Sequence, residues 1–467
     1  MGGIFGCITK TACNKDLFYG TDYLSHLGTK KGGMATIDKD GIHRTIHSLE
    51  NAYFRSKFEA DVEELTGNSG IGVISDTESQ PIVLHSHLGR FAVVSVGKIV
   101  NLDDLASKAF SHKIHFAEAS GGGINPTEVL AMLISQAGSF TEGITHAQKT
   151  IKGSCSMLVL TEEGIYAARD KLGRTPIVLG RGKKGFAASS ESSVFSNLGY
   201  EVDSFLGPGE IIHITPEGKE QKQAPGDKMQ ICSFLWVYYG YPASTYEEIN
   251  TEQVRYRCGA ALARNETVEA DFVAGIPDSG IGHAVGFANE SHIPYMRPYV
   301  KYTPTWPRSF MPQNQDMRNL VARMKLIPIK EIINGKRIIF CDDSVVRGTQ
   351  LQDNTQILYE YGAKEIHMRI ACPCLIYPCE FLNFSTSRSK LDLAGRKSIY
   401  DLENKEDTDL YEYARNGSIK HCAMVDNIRK RLGLTSLKYQ KMEDIVAAIG
   451  LPKERLCTHC WDGSSYF

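Results

Sequence analysis

Two adjacent carboxylates, Asp342 and Asp343, follow the apolar run Arg337-Ile338-Ile339-Phe340-Cys341 and precede Ser344-Val345-Val346-Arg347-Gly348-Thr349. The run reads as a β-strand emptying into a small polar loop where a helix begins. A loop at the carboxyl end of a parallel strand is the usual ligand position of open α/β sheets. Its backbone N–H groups at a helix start make a cradle for a phosphate. The paired aspartates suit ribose hydroxyls and a magnesium ion, which favours oxygen ligands. An acidic turn that merely caps a helix would read the same way for Asp-Asp-Ser alone. The strand before it and Val-Val-Arg-Gly-Thr after it set this one apart, and no Walker-type phosphate loop occurs.

The same logic recurs at Phe272–Ile276, a strand running into Pro277-Asp278-Ser279-Gly280. Asp278, Ser279 and Gly280 can offer amides or a hydroxyl to a diphosphate, although such a loop alone is also ordinary turn chemistry. Two loops of this kind after two strands of one sheet point to a diphosphorylated sugar. Residues 301–328 hold four prolines and several basic groups. They read either as a surface loop or as a lid that brings Arg308 and Lys325 to the diphosphate charge. Among 12 cysteines, Cys457-Thr458-His459-Cys460 stands out. A CxxC is a redox pair, half a zinc site or half an iron–sulfur site, and a disulfide framework is not expected in a cytosolic chain of this size.

The elements that must position these groups fall into two halves. With 467 residues the chain exceeds one ordinary core. Residues 1–225 read as short glycine-punctuated strands (Gly70–Ile74, Arg90–Val100, Ser156–Leu160, Ile177–Leu179) with helices near Leu17–His26 and Thr127–Gln136. That is an α+β pattern with antiparallel sheets. Gln221–Lys228 reads as a linker. From 226 to 467 strands alternate with helices: Tyr246–Ala263 helical, Phe272–Ile276 strand, Ile281–Asn289 helix, Ile338–Cys341 strand, Gln350–Tyr361 helix, Ile366–Ile370 strand. Such alternation predicts a parallel sheet covered on both faces. A net charge of −2 gives no reason to expect nucleic acid. No run of apolar residues is long enough for a membrane span and no secretory signal is visible, so the expected address is cytoplasmic.

The chain resembles the glutamine phosphoribosylpyrophosphate (PRPP) amidotransferase family over nearly its full length. The resemblance rests on GGIFG at 2–6, RDKLGRTPIVLGR at 169–181, SSES at 189–192, PGE at 208–210, VYYGYPAS at 237–244, IPDSG at 276–280, RSFMP at 308–312, DDSVVRGT at 342–349 and YPC at 377–379. It implies an N-terminal nucleophile, class II glutamine amidotransferase-like four-layer αββα domain joined to an α/β type I phosphoribosyltransferase domain. It further implies that Asp342 and Asp343 bind ribose and magnesium, that Ser279 is a metal-binding position, that Ser344–Thr349 hold the 5′-phosphate, and that Lys325 meets the pyrophosphate. Cys232, Cys379, Cys457 and Cys460 match the ligands of a [4Fe–4S] cluster, with zinc the competing reading from chemistry alone. Purine nucleotides as inhibitors and a homotetramer or homodimer also follow only from the resemblance.

The first half departs from the family pattern where the glutaminase chemistry belongs. Its nucleophile is an N-terminal cysteine whose α-amino group serves as base, and here Gly2 follows Met1. Ser75 stands at the arginine that clamps glutamine, Val96 at the oxyanion asparagine, and Pro126 at the aspartate before Thr127-Glu128. Cys7 would need residues 1–6 removed and falls within an expected strand. The expectation is therefore an inactive glutaminase half and a transferase that forms 5-phosphoribosylamine from ammonia supplied freely or by a partner. The rival expectation is a non-catalytic regulator or partner of an active paralogue. Its support is the altered lid and the altered Leu235-Trp236 and Tyr241-Pro242-Ala243.

Overall fold

The structure is a computed structural model that describes residues 2–466 except 121, 303–325, 383–388 and 407, and except the side chains of 119, 120 and 350. Arg308 and Lys325 lie outside the described residues.

In the first half every strand near the centre is apolar on both faces, because each sheet is covered twice. In Gly2–Thr9, Ile4 and Ile8 turn to the space between two sheets, while Phe5 and Cys7 turn outward to helix Asn14–Asp22. In Gly89–Ile99, Ala92, Val94 and Val96 face the same inner space, and Phe91 and Val93 face helices Pro126–Ser135 and Phe140–Thr150. This strict alternation is the period of two that a strand imposes. The result is a four-layer αββα stack. One sheet has seven antiparallel strands in the order Tyr200–Phe205, Val178–Gly182, Gly185–Ser189, Gly2–Thr9, Ser69–Ser75, Lys31–Asp38, Gly41–Ser48. The other has six, in the order Lys219–Gln223, Ile211–Ile214, Gly164–Ala168, Gly153–Thr161, Gly89–Ile99, Ile82–Ser86.

The second half has its own core around a four-stranded parallel sheet, in the order Phe272–Gly275, Arg337–Asp342, Glu365–Ile370, Ser436–Tyr439. Ile338, Ile339, Phe340 and Cys341 are all fully buried, the continuous apolar run expected of a parallel strand covered on both faces. Short parallel strands Ile231–Cys232 and Leu456–Cys457 tie the start of this half to its end.

Two expectations fail here. The helix expected over Tyr246–Ala263 starts only at Thr251. Before it, Thr245–Tyr246 and Ile249–Asn250 form a hairpin whose turn residues Glu247 and Glu248 have φ of +48° and +65°. That is the twist a two-residue hairpin turn demands, and Glu-Glu gives no sequence sign of it. The linker expected at Gln221–Lys228 begins inside the edge strand Lys219–Gln223, which pairs with Ile211–Ile214. A polar strand at a sheet edge has one solvated side and lacks an apolar signature.

Candidate functional site

Strands Phe272–Gly275 and Arg337–Asp342 are neighbours in one parallel ladder, so the loops after them open side by side. Ser279 Oγ donates to Asp342 Oδ1 at 2.7 Å, and the Asp343 amide donates to the same oxygen at 2.9 Å. Ser344 Oγ donates to Asp343 Oδ2. The approach of the two loops is close enough that a Cβ on Gly280 would stand 2.0 Å from the Cys341 carbonyl oxygen. Only glycine fits there. Asp278 is exposed and pairs with Lys301.

The second loop continues with Val345 buried and Val346 accepting the Ala394 amide at 2.7 Å through its carbonyl. Arg347 is exposed, with its guanidinium 3.7 Å from Asp392. Gly348, at φ +81°, turns the chain into helix Thr349–Glu360, where Thr349 is exposed. The first-turn amides of that helix have no partner within the helix. Burial raises the pKa of Asp342, and repulsion by Asp343 adds to it; burial likewise raises Asp343. Two carboxylates so placed call for a cation or hydroxyl donors.

The four cysteines also converge. Cys232 and Cys457 are register partners of the two short parallel strands, and the Cys460 carbonyl accepts the amides of Ile376 and Tyr377 just ahead of Cys379. All four line one cavity with Phe234, Phe381, Leu382, Thr458, Trp461 and Arg174. The Arg174 guanidinium lies 3.8 Å from the Phe381 ring centre. Burial pushes the thiols of Cys232 and Cys457 up. Cys460 is raised first by its contact with Cys379 and then by burial. Among the described residues, no three or more His, Cys, Asp or Glu converge as the ligands of a single metal ion do.

Gly2 and Ser75 are register partners of adjacent antiparallel strands. A Cβ on Gly2 would stand 2.6 Å from the Ile74 carbonyl oxygen and 3.4 Å from Val96 Cγ1. Ser75 Oγ accepts the Thr77 amide at 3.2 Å, and Pro126 opens a helix capped by Asn125. Gln80 is 1% exposed; its Oε1 accepts the Ser95 amide at 2.7 Å, and its Nε2 donates to the Ser95 carbonyl at 3.1 Å and to Glu78 Oε1 at 2.9 Å. Ser95 Oγ and Thr127 Oγ1 are 2.9 Å apart. Cys7 lies within strand Gly2–Thr9 at 1% exposure, its thiol directed to the Cys13 carbonyl.

Burial raises the pKa of Glu78 in this network above the usual glutamate value. The neutral acid is the folded form's preference, so stability is full below the ordinary value and is lost as pH rises through the raised one. Glu78→Gln imitates that neutral acid. Its melting temperature is expected to match the parent's at about pH 4 and to exceed it increasingly toward neutral pH. A parallel pair of melting curves across that range would contradict the assignment.

Sequence reasoning missed Glu191, inside the SSES segment. It is 1% exposed and accepts from Tyr246 Oη at 2.7 Å, the Tyr241 amide at 3.1 Å and Ser244 Oγ at 3.2 Å, with His26 Nε2 at 3.0 Å. Burial works to raise its pKa, but His26 and these donors outweigh that and hold it below the usual value. Glu191 thus joins the two halves. Beside it lies a cavity of about 30 Å³ lined from the first half by Gly2, Val96 and Gly97 and from the second by Leu235, Tyr239 and Tyr246.

A family of glutamine amidotransferase domains matches residues 69–197. The amidophosphoribosyltransferase of Methanocaldococcus jannaschii is 30% identical over 99% of this chain and 97% of its own length. That of Bacillus subtilis is 29% identical over 88% and 87%. Among solved structures, the glutamine PRPP amidotransferase from B. subtilis complexed with ADP and GMP superposes with a TM-score of 0.86, at 26% identity over 99% of this chain and 97% of that one. The four-layer first half therefore has the N-terminal nucleophile amidotransferase fold, and the second half the type I phosphoribosyltransferase fold.

Proposed function

The chain belongs to the amidophosphoribosyltransferase family, and from that premise we propose that it transfers ammonia to PRPP in purine biosynthesis without making that ammonia from glutamine. The observation that carries the transferase half of this reading is the meeting of Ser279 with Asp342, beside Asp343, at the mouth of two adjacent parallel strands. The 5′-phosphate sits on the amides of Ser344–Thr349, at the start of a 12-residue helix. Asp342 and Asp343 hold the ribose hydroxyls and, with Ser279, would hold a magnesium ion, which would supply positive charge to the departing pyrophosphate. Lys325 and Arg308 neutralise the leaving group. As the C1–oxygen bond to pyrophosphate breaks, a C1–nitrogen bond forms and the nitrogen releases a proton. The carboxylates tolerate the positive charge that builds on the sugar. The loop of Asp278, Ser279 and Gly280 offers its amides to the diphosphate. The domain boundary is proposed near 225/226, since the buried cores on either side have no member in common, although Tyr239 packs against both.

We assign Cys232, Cys379, Cys457 and Cys460 to a [4Fe–4S] cluster. Four thiols in an apolar shell beside a buried arginine suit it. Zinc held by the same four thiols is the alternative occupant. The cluster's contribution is to hold the ends of the second half together.

The glutaminase half is proposed to be inactive, because Gly2 carries no nucleophile and a side chain there would stand 2.6 Å from the Ile74 carbonyl oxygen. Purified protein with PRPP and magnesium is expected to release pyrophosphate with ammonium and not with glutamine. Gly2→Cys is expected to remain inactive with glutamine, since its Cβ would press on the Ile74 carbonyl and neither clamp nor oxyanion donor returns with it. Glutamine-dependent release by the parent protein would end this reading. PRPP binding without release under ammonium would favour the regulator, for which the altered residues Tyr241–Ala243 beside Glu191 are the supporting feature.

A further inference from the structure

Residues 172–174, in the connection between strands Gly164–Ala168 and Val178–Gly182 of the first half, run beside residues 230–232 of the second. The Gln230 amide donates to the Leu172 carbonyl at 2.7 Å, and the Cys232 amide to the Arg174 carbonyl at 3.2 Å. Arg174 thus reaches the cysteine cavity from the other half of the chain. Its side chain is fully buried. One terminal nitrogen donates to Gln230 Oε1 at 3.0 Å and to Ser465 Oγ at 3.5 Å, and the other to the Gly153 carbonyl at 3.4 Å. The Phe381 ring, two residues after Cys379, carries the guanidinium on its face, a contact that gains strength away from water.

Phe234, Leu382 and Trp461 make much of the remaining wall apolar. Four thiolates with their iron carry a net negative charge, and an apolar wall solvates that charge poorly. Among the described residues that line the cavity, Arg174 alone bears a fixed positive charge. A guanidinium keeps its proton even when buried and is weakly hydrated. The potential of an iron–sulfur centre follows its net charge, the hydrogen bonds to its sulfurs and its exposure. A cation held at the wall therefore favours the reduced form, which is the more negative one.

We infer that Arg174 is the charge partner of the cysteine-held cluster, supplied by the half of the chain that carries no nucleophile at Gly2. The inference rests on the cluster assignment above. It gives the first half a task independent of glutamine: residues 172–174 close the wall around the four cysteines, and Arg174 sets how readily the cluster takes up an electron. Gln230 and Phe381 are positioning residues, because they fix where the guanidinium stands.

Anaerobic titration of the purified protein with dithionite, followed by electron paramagnetic resonance alongside iron and sulfide content, tests this. In Arg174→Gln the cluster is expected to be retained, with its one-electron reduction equilibrium moved about tenfold toward the oxidised form, a fall of about 59 mV. Arg174→Lys, which keeps the charge, should keep most of the parent's equilibrium. A merely structural arginine would lower stability in both variants and leave the potential alone. An unchanged or raised potential in Arg174→Gln, or an equal fall in Arg174→Lys, overturns the inference. Parent protein holding zinc or no metal overturns the cluster assignment, and the inference with it. If Arg174→Gln takes up no iron, Arg174→Lys decides: iron at the parent's potential supports the charge role, and loss of iron or a lower potential overturns it.

Discussion

Asp342→Asn is expected to lower ammonium-dependent pyrophosphate release by about 100- to 1000-fold, the scale on which a single charge-stabilising group at a reacting centre acts. The substitution is nearly isosteric. Its Oδ1 can still accept from Ser279 Oγ and the Asp343 amide, as the carboxylate does, so the loop keeps its shape. What disappears is a negative charge facing the ribose and the magnesium ion. The loss should therefore fall on turnover and on the magnesium requirement, and additional magnesium should restore little of it. Stability is expected to move the other way. Asp342 and Asp343 repel each other in a buried place and both have raised pKa values, so removing one charge should leave the melting temperature at neutral pH no lower than the parent's. Loss of activity with a retained or raised melting temperature supports a functional carboxylate. Loss of both would mean that the pair merely holds the loop together.

Cys460→Ser is expected to remove bound iron and sulfide and to release the C-terminal segment. Cys460 stands next to Trp461, which packs into the core at 2% exposure, and its carbonyl holds the chain at Ile376 and Tyr377. Cys457 is paired in register with Cys232, so the same cavity binds chain segments separated by more than half of the second half. Where a metal group closes so long a loop, its binding energy is folding energy. The variant should melt well below the parent, and proteolysis should begin near residues 456–466. Cys422→Ser, at an exposed thiol outside the cavity, should keep its iron and its stability. Stoichiometric zinc in anaerobically purified parent protein would overturn the cluster assignment.

The part of the site legible in the sequence is the part made of neighbours. Strand Arg337–Asp342, its loop and the following helix are contiguous, so apolar run, carboxylates and Gly-Thr stand in the order in which they act. The partnership of Ser279 with Asp342 was readable as two similar loops and, through the family resemblance, as positions of one magnesium site; the parallel pairing that makes them meet is a property of the sheet. The cysteines mark the limit of spacing as a signal. Cys457 and Cys460 announce themselves as CxxC, whereas Cys232 and Cys379 reach the same cavity from distant positions that only the family resemblance pointed out. The closed network of Glu78, Gln80 and Ser95 was invisible. The family resemblance pointed to departures at 2, 75, 96 and 126, whereas the bonds of Gln80 to Glu78 and Ser95 are visible only in the fold.

Competition between two nitrogen sources tests the central claim most directly. The purified protein is given PRPP, magnesium, isotope-labelled ammonium and unlabelled glutamine together, and the nitrogen of the phosphoribosylamine formed is traced by mass. With no nucleophile at Gly2, the product should carry only the ammonium label and the glutamine should remain unconsumed. Product bearing unlabelled glutamine nitrogen would contradict the account.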